Sequence, residues 1–457
     1  LRYFKELSMN ILDLDELEAL SKKILSYSKS EWAEVSLDSG HSANLRFAAN
    51  TVTTSGASSN TSYTITAVNG KRAGSASSND ISDDGLSRAV ARAEEIASLA
   101  PENEELMPPL TDKQTYARTS AYDARSTDYD WASEQRVKIA GAAIKEAVAH
   151  SFQTAGFLES GVSHNAYRNS KGLFVADQHT RSIFSLTMRT SDGRSSGWNK
   201  RASHSLAQLD SQTAILHASQ KCEAWKGPKG MDSGVYKVIL EPSATADLLQ
   251  QFAWSLDARD AEEGRSAYSR ANGSTALGQK IVNEKVHIYS DPSHPLVPSG
   301  IYGDSGLALK PTDWIANGTL TNFTRSRYWA SKSGKDPMPG PSNLIMDGGT
   351  MLPEDYLSTV REGLLVTSFW YIRDLDDQTL LKTGLTRDGL FWVEDGKIRY
   401  GVSNFRWNES PLTMLQNVID SSKPVVTAPR DGWDGMPMYV PMLYVSGFNF
   451  ASQSDAV

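Results

Sequence analysis

Two stretches of this sequence gather carboxylates. Asp257, Asp260, Glu262 and Glu263 crowd around Arg259, and Asp374, Asp376 and Asp377 crowd a second stretch. Two carboxylates held near each other can divide the work of general acid and base, in peptide or glycoside hydrolysis. The plainer expectation is a solvated helix end and a polar loop. Imidazoles offer less. His287 and His294 flank Asp291 and read as strand and turn residues, while His164, His179, His204 and His217 fall at no ligand spacing. The single cysteine, Cys222, excludes an intrachain disulfide framework and any Cys-rich zinc cluster. No Gly-x-Ser-x-Gly elbow precedes a helix. No phosphate loop is present, and Gly227-Pro228-Lys229-Gly230 reads as a linker. Tryptophans such as Trp314, Trp329, Trp370, Trp392, Trp407 and Trp433 are expected in cores or subunit interfaces.

The elements that must position these residues divide at that linker. Before it, the apolar spacing predicts helices over 12–28, 82–99, 133–150 and 205–224. Period-two alternation predicts strands over 32–38 and, after a turn at Gly40, 45–48, then 62–68 and 71–77. Asn69-Gly70 marks a hairpin, since a type I′ turn needs positive φ at both central positions. A meander of four strands follows over 151–191. Ser82 or Asp83 is the expected N-cap of the second helix. After the linker come a buried strand over 236–240, one helix over 243–263, and many short strands with Gly, Pro and Asp turns. The fold class is therefore α+β. Residues 1–226 form a domain with an antiparallel sheet and flanking helices. Residues 227–457 form a mostly β domain, sandwich- or barrel-like, around one central helix.

The 457 residues suffice for two cores, and the 39% hydrophobic and 22% charged composition is ordinary for a globular protein. A net charge of -8 and the lack of a basic tract argue against a nucleic-acid partner. No apolar run approaches the ~20 residues that span a bilayer. The first twenty residues are charged and lack the apolar region of a signal peptide, so a cytoplasmic location is the expectation.

Three blocks, in order along nearly the whole chain, resemble the TldD/PmbA family (TldD and TldE, also called modulators of DNA gyrase). The first is 45–100, with Ala76-Ser77-Ser78-Asn79-Asp80. The second is 235–320, with Glu263-Gly264-Arg265-Ser266, Asp291-Pro292 and Gly318-Thr319-Leu320. The third holds Gly363-Leu364-Leu365-Val366-Thr367, Thr386-Arg387-Asp388-Gly389-Leu390-Phe391, Glu394-Asp395-Gly396-Lys397-Ile398 and Val402-Ser403-Asn404-Phe405-Arg406-Trp407-Asn408-Glu409-Ser410.

The resemblance implies a peptidase fold. Catalytic members carry His-Glu-x-x-x-His on the helix after the first strand of the second domain, with a downstream cysteine as third zinc ligand. Zinc there would lower the pKa of a bound water towards ~7, with the Glu as base. Counting back from Glu263-Gly264-Arg265-Ser266 sets that motif on Leu249-Gln250-Gln251-Phe252-Ala253-Trp254. Leu249 and Trp254 then stand for the two histidines and Gln250 for the base. None can take the role: Leu has no lone pair, an amide takes no proton near neutrality, and indole only donates. Cys222 lies upstream, where it does not match. A motif pair five apart sits ~140° apart on a regular helix, so active members need a distorted one. Here a regular helix, no catalytic zinc site of its own and no cofactor are expected.

The resemblance implies a TldE-like subunit of a peptidase complex acting on small or unfolded peptides. Its partner would be a TldD-like catalytic subunit or a second copy of itself, and it would bind peptide backbone through strand addition. The alternatives are a hydrolase working through carboxylates and a binding-only scaffold.

Overall fold

The computed structural model describes residues 11–431 and 435–454. Trp433 and residues 1–10 therefore lie outside the described residues. Six strands form the first sheet, in the order β3-β2-β1-β4-β5-β6, all antiparallel. They are β1 (Trp32–Ala48), β2 (Thr51–Asn69), β3 (Arg72–Ser78), β4 (Phe152–Asn169), β5 (Phe174–Thr190) and β6 (Ser196–Ser203).

Strands β1, β4 and β5 are longer than the local pattern predicts. The expected break at Gly40 does not occur, and the meander over 151–191 has two strands in place of four, with its turn at Asn169-Ser170-Lys171-Gly172 as expected. Gly40 is there for closeness: a Cβ would meet Ser163 Oγ at 3.0 Å and Val162 O at 3.1 Å. The β2–β3 hairpin forms, but its two loop residues are Gly70 and Lys71, because Asn69 pairs with Arg72. Gly70 alone takes positive φ, at 58°, which is the II′ pattern.

One face of this sheet carries all four helices of the first domain. Helices α1 (Leu14–Ser26) and α2 (Asp83–Leu99) cover one end, burying Val35, Leu37, Ile65 and Val90. Helices α3 (Tyr129–Ala149) and α4 (Ser211–Ala224) cover the other, over Leu45, Phe47, Leu158 and Phe184. Odd-numbered residues of β1 thus face helices at both ends, which leaves Glu34, Ser36 and Asp38 on the open face. The expected cap forms, with Ser82 accepting from Gly85 N, and on α1 Asp13 with Glu16 makes a capping box.

Residues 227–233 lead into β7 (Gly234–Leu240) and then α5 (Pro242–Trp254). In place of one helix to Glu263 there are two. Ser255 turns its hydroxyl onto Phe252 O (2.7 Å), and Asp257 caps a new helix, α6 (Ala258–Glu262), by accepting from Asp260 N at 2.9 Å. Among the described residues the second domain has two further sheets. The larger is a nine-stranded sheet in which β7 lies between Leu443–Gln453 and Glu362–Val366. The smaller has six short strands, among them Ile288–Ser290, Leu344–Met346 and Met438–Val440. Neither closes into a barrel. A single core cluster joins both sheets to α5 through Val238, Val366, Leu248, Leu249, Phe252, Ile288 and Met438.

Candidate functional site

Helix α5 starts with Pro242 at its first turn, and ten of its thirteen residues are buried. A helix covered on nearly every side must settle its polar groups internally. Asp247, fully buried, does so by accepting three backbone N–H groups: Phe369 N at 2.8 Å, Arg430 N at 2.6 Å and Asp431 N at 3.1 Å. Burial still pushes its carboxyl up to about 7, against those bonds and the Arg430 charge.

Arg430 in turn pairs with Asp388 and donates to Ser368 Oγ at 3.0 Å, with its guanidinium 4.6 Å over the Trp198 ring and 5.5 Å from Trp370. Burial alone would raise the Asp388 pKa, but Arg430 outweighs it and holds the carboxyl below its usual range. Trp198 belongs to β6 and Arg430 to the second domain, so this network also closes the seam between domains. Lys200, on β6, donates to Pro429 O at 2.8 Å in the same seam.

The three positions singled out from the sequence do not converge. Leu249 is in the apolar core, Gln250 is fully buried, and Trp254 is 55% exposed at the helix end. Five residues of regular helix put Leu249 and Trp254 on different sides. Zinc does not fit this donor set. Leu249 and Trp254 supply no lone pair, and both Asp247 oxygens are taken up by backbone donors. Among the described residues, no three His, Cys, Asp or Glu side chains come together as a ligand group.

The open face of the first sheet forms the floor of a cleft of about 970 Å³, roofed by residues of segments 296–305, 426–428 and 435–438 of the second domain. Register builds its polar centre. Asp38 pairs with Asn165 across β1 and β4, and Asn165 with Asp177 across β4 and β5, so the three side chains stand in one row. Asn165 Nδ2 lies 3.3 Å from both Asp177 Oδ1 and His179 Nδ1, and Ile301 N donates to Asp177 Oδ2 at 3.2 Å. Tyr167 donates to Glu34 Oε2 at 2.6 Å.

Burial lowers the His179 pKa despite Asp177 and Asp38 beside it, and raises those of Asp38 and Tyr302. Ser36, Ser62, Thr64, Ser203 and Ser299 add hydroxyls. Such a surface can hydrogen-bond an extended chain. Among the described residues of the cleft, no hydroxyl or thiol is bonded to an imidazole as a nucleophile would be. His179 and His204, unrelated in sequence spacing, both line this cleft. Only the strand register could have paired them.

The other candidates resolve into structural roles. Arg259 bridges Glu105 and Glu263, Arg265 bridges Asp260 and Glu263, and Lys335 and Trp329 hold Glu262. Asp374 pairs with Lys382, and Asp376 accepts from Thr379. His287 bonds Asp347 at 2.7 Å and Asp313 at 3.0 Å, whereas His294 lies tilted against the Tyr439 ring. Trp314 and Trp407 are core residues, and Trp370 is 36% exposed.

Three family models match the chain in succession. Residues 33–97 match the PmbA/TldA metallopeptidase domain 1, residues 104–214 the central domain, and residues 233–452 the C-terminal domain. The chain belongs to the PmbA/TldD family. A curated family relative, a protein named "Metalloprotease" from Methanothermobacter thermautotrophicus, is 22% identical over 297 residues, 59% of this chain and 63% of that relative's length.

Among solved structures, TldE from Thermococcus kodakarensis superposes with a TM-score of 0.83 at 18% identity, covering 95% of this chain and 99% of that one. A putative modulator of DNA gyrase from Bacteroides thetaiotaomicron gives 0.81 at 19% identity, over 96% of this chain and 100% of the other. A further one from Thermotoga maritima gives 0.80 at 17%, over 95% and 100%. At these identities the likeness is one of fold. Within the PmbA/TldD fold, Asp247, Asp388 and Arg430 are what the sequence reading missed. Asp388 lay in a quoted block, Thr386-Arg387-Asp388-Gly389, with nothing local to reveal its partner.

Proposed function

We propose that this chain is a TldE-like, non-metal-binding subunit of a peptidase complex that acts on small or unfolded peptides. It contributes a peptide-binding wall, while a metal-binding family member supplies the cutting site. The observation that carries this reading is the state of α5. Where a catalytic helix would present ligands, this one presents Asp247 with its oxygens occupied by Phe369, Arg430 and Asp431. The family membership and the "Metalloprotease" relative support the peptidase context. The cleft supports the peptide-holding role, since its floor is a strand face rich in hydroxyl, carboxylate and imidazole groups. The carboxylate-hydrolase alternative loses its best candidates to ion pairs around Arg259, Arg265 and Lys335.

The test is to assay the pure chain, a metal-binding family member, and their mixture on unstructured peptides, with zinc measured in each preparation. Cleavage that rises only in the mixture, with zinc confined to the partner, is expected. Stoichiometric zinc in the pure chain, or chelator-sensitive cleavage by it alone, would overturn the reading.

A further inference from the structure

The cleft has two unlike walls, and a peptide lying between them meets both. On the floor, register sets the carboxylates of Asp38 and Asp177 two strands apart, about 10 Å. Asp177 is 8% exposed, and among the described residues its hydrogen bonds come from neutral groups, Asn165 Nδ2 and Ile301 N. Asp38 is exposed, and Asp304 adds a third carboxylate from the roof. Among the described residues none of the three forms an ion pair. Glu34 differs, since Tyr167 donates to it.

Little cancels this charge. Among the described residues lining the cleft the one arginine is Arg181, and it lies 3.7 Å from Glu159. Burial lowers the pKa of both lining imidazoles, His179 and His204, which leaves them neutral at pH 7. The floor therefore favours a cation.

Much of the roof is apolar. Leu296, Val297, Pro298 and Met436 line the cleft there. Leu296 is 46% exposed, an open apolar surface above a charged floor. An extended chain turns successive side chains to opposite faces, so residues i and i+2 share a side, ~7 Å apart. Between these walls, every second side chain of such a chain meets the roof and the others meet the floor. Floor-facing lysines reach the carboxylates on flexible stems, and roof-facing apolar side chains take Leu296 out of water.

We propose that the cleft selects extended segments in which lysine or arginine alternates with apolar residues. This rests on the peptide-holding role given to the cleft above. Asp38 and Asp177 read the cationic positions, and Leu296 reads the apolar ones. The order of the residues matters as well as their composition, because only alternation sends each kind of side chain to its own wall.

The test measures binding of short labelled peptides, with both ends blocked, to the whole chain by fluorescence anisotropy. Ser-Lys-Leu-Lys-Leu-Lys-Ser should bind about tenfold more tightly than Ser-Glu-Leu-Glu-Leu-Glu-Ser. It should also bind several-fold more tightly than the block Ser-Lys-Lys-Lys-Leu-Leu-Ser, which has the same composition. Asp38→Lys should remove most of the preference for lysine over glutamate. Leu296→Ser should remove the preference for alternation and keep the preference for charge. Both substituted residues are exposed, so both variants should fold. Equal affinity for the lysine and glutamate peptides, an unchanged charge preference in Asp38→Lys, or equal affinity for the alternating and block peptides would overturn the selectivity while leaving the peptide-holding role intact. Failure of all three peptides to bind would overturn that role, and the selectivity with it.

Discussion

The polar face of α5 and the floor of the cleft lie on either side of the same domain seam, and they treat their ionisable groups in opposite ways. Around α5, the carboxylate of Asp247 and the Arg430–Asp388 pair are dry and crowded by fixed partners. In the cleft, Asp38 is exposed, and Asp177 and His179 make bonds of 3.2–3.3 Å to neutral groups. Perturbed titration usually marks a functional site. Here the strongest carboxyl perturbation sits where nothing can reach it and serves to clamp segments 369 and 430–431 onto the helix. The groups free to meet a ligand are the mildly held ones. In this fold, then, the most strongly shifted carboxyl, Asp247, reports architecture, and loosely bonded polar groups report capacity to bind.

The largest effect expected from this contrast is on stability. Asp247→Ala strips the acceptor from three buried N–H groups and should cost about 3–5 kcal/mol. The same truncation at exposed Asp38 should stay within about 0.5 kcal/mol. Urea titrations of both variants measure the difference; similar losses would erase the distinction. The pH dependence has a defined sign. The folded Asp247 carboxyl titrates near 7, the unfolded one near ~3.9, so the folded state holds the extra proton between them. Its contribution is greatest below ~4, falls as pH climbs to about 7, and is level above that. Asp247→Ala should remove this slope.

Next in size is the Arg430–Asp388 pair. Arg430→Met leaves Asp388 buried without its cation and should cost about 3 kcal/mol by thermal or urea unfolding. Adding Asp388→Leu should recover at least half of that, because a buried pair replaced together by apolar side chains is often near neutral. If the double variant is no better than the single, the seam depends on the charge pair itself.

What was legible in the sequence follows from range. Ser82 and Asp13 cap helices through bonds to residues three positions on, and the sequence displays both. Gly70 turns a hairpin because φ must be positive there. The continuous β1 was not legible, since Gly40 answers to Ser163 on another strand. The helix break at Ser255 was half-visible: Asp257 is an N-cap for Asp260, yet beside so many carboxylates it invited a chemical reading. Asp247, Asp388 and Arg430 are joined across sequence separations of 42 and 183 residues, and no periodicity carries such a link.

In the cleft the expected effect is on binding. Ser36 is an exposed β1 residue on the cleft floor, so a larger side chain there should burden the fold little and a bound peptide much. Ser36→Trp should leave unfolding within about 1 kcal/mol of wild type. It should weaken binding of an unstructured peptide at least tenfold (about 1.4 kcal/mol), read by calorimetry or by activity of the mixed complex. Unchanged peptide affinity would place the peptide elsewhere.

The smallest expected effect separates exposed from buried electrostatics within one domain. Burial alone would lower the His287 pKa, but hydrogen bonds with Asp313 and Asp347 outweigh it and raise the value. A raised imidazole contributes stability that is complete below its unfolded pKa of ~6.5 and is lost as pH rises through the folded value. His287 is 32% exposed and both carboxylates are 55% exposed, so the contribution should stay under about 1 kcal/mol. Asp247 also makes the protein less stable as pH rises, but over the range from ~4 to about 7. Salt distinguishes the two. At 1 M the screening length falls to ~3 Å, which should flatten the His287 slope above pH ~6.5 and leave the Asp247 slope standing. Comparing His287→Gln with wild type at low and high salt measures this. If high salt flattened the acid-side slope as much as the His287 one, water and ions would have access to Asp247, and the dry clamp would not exist.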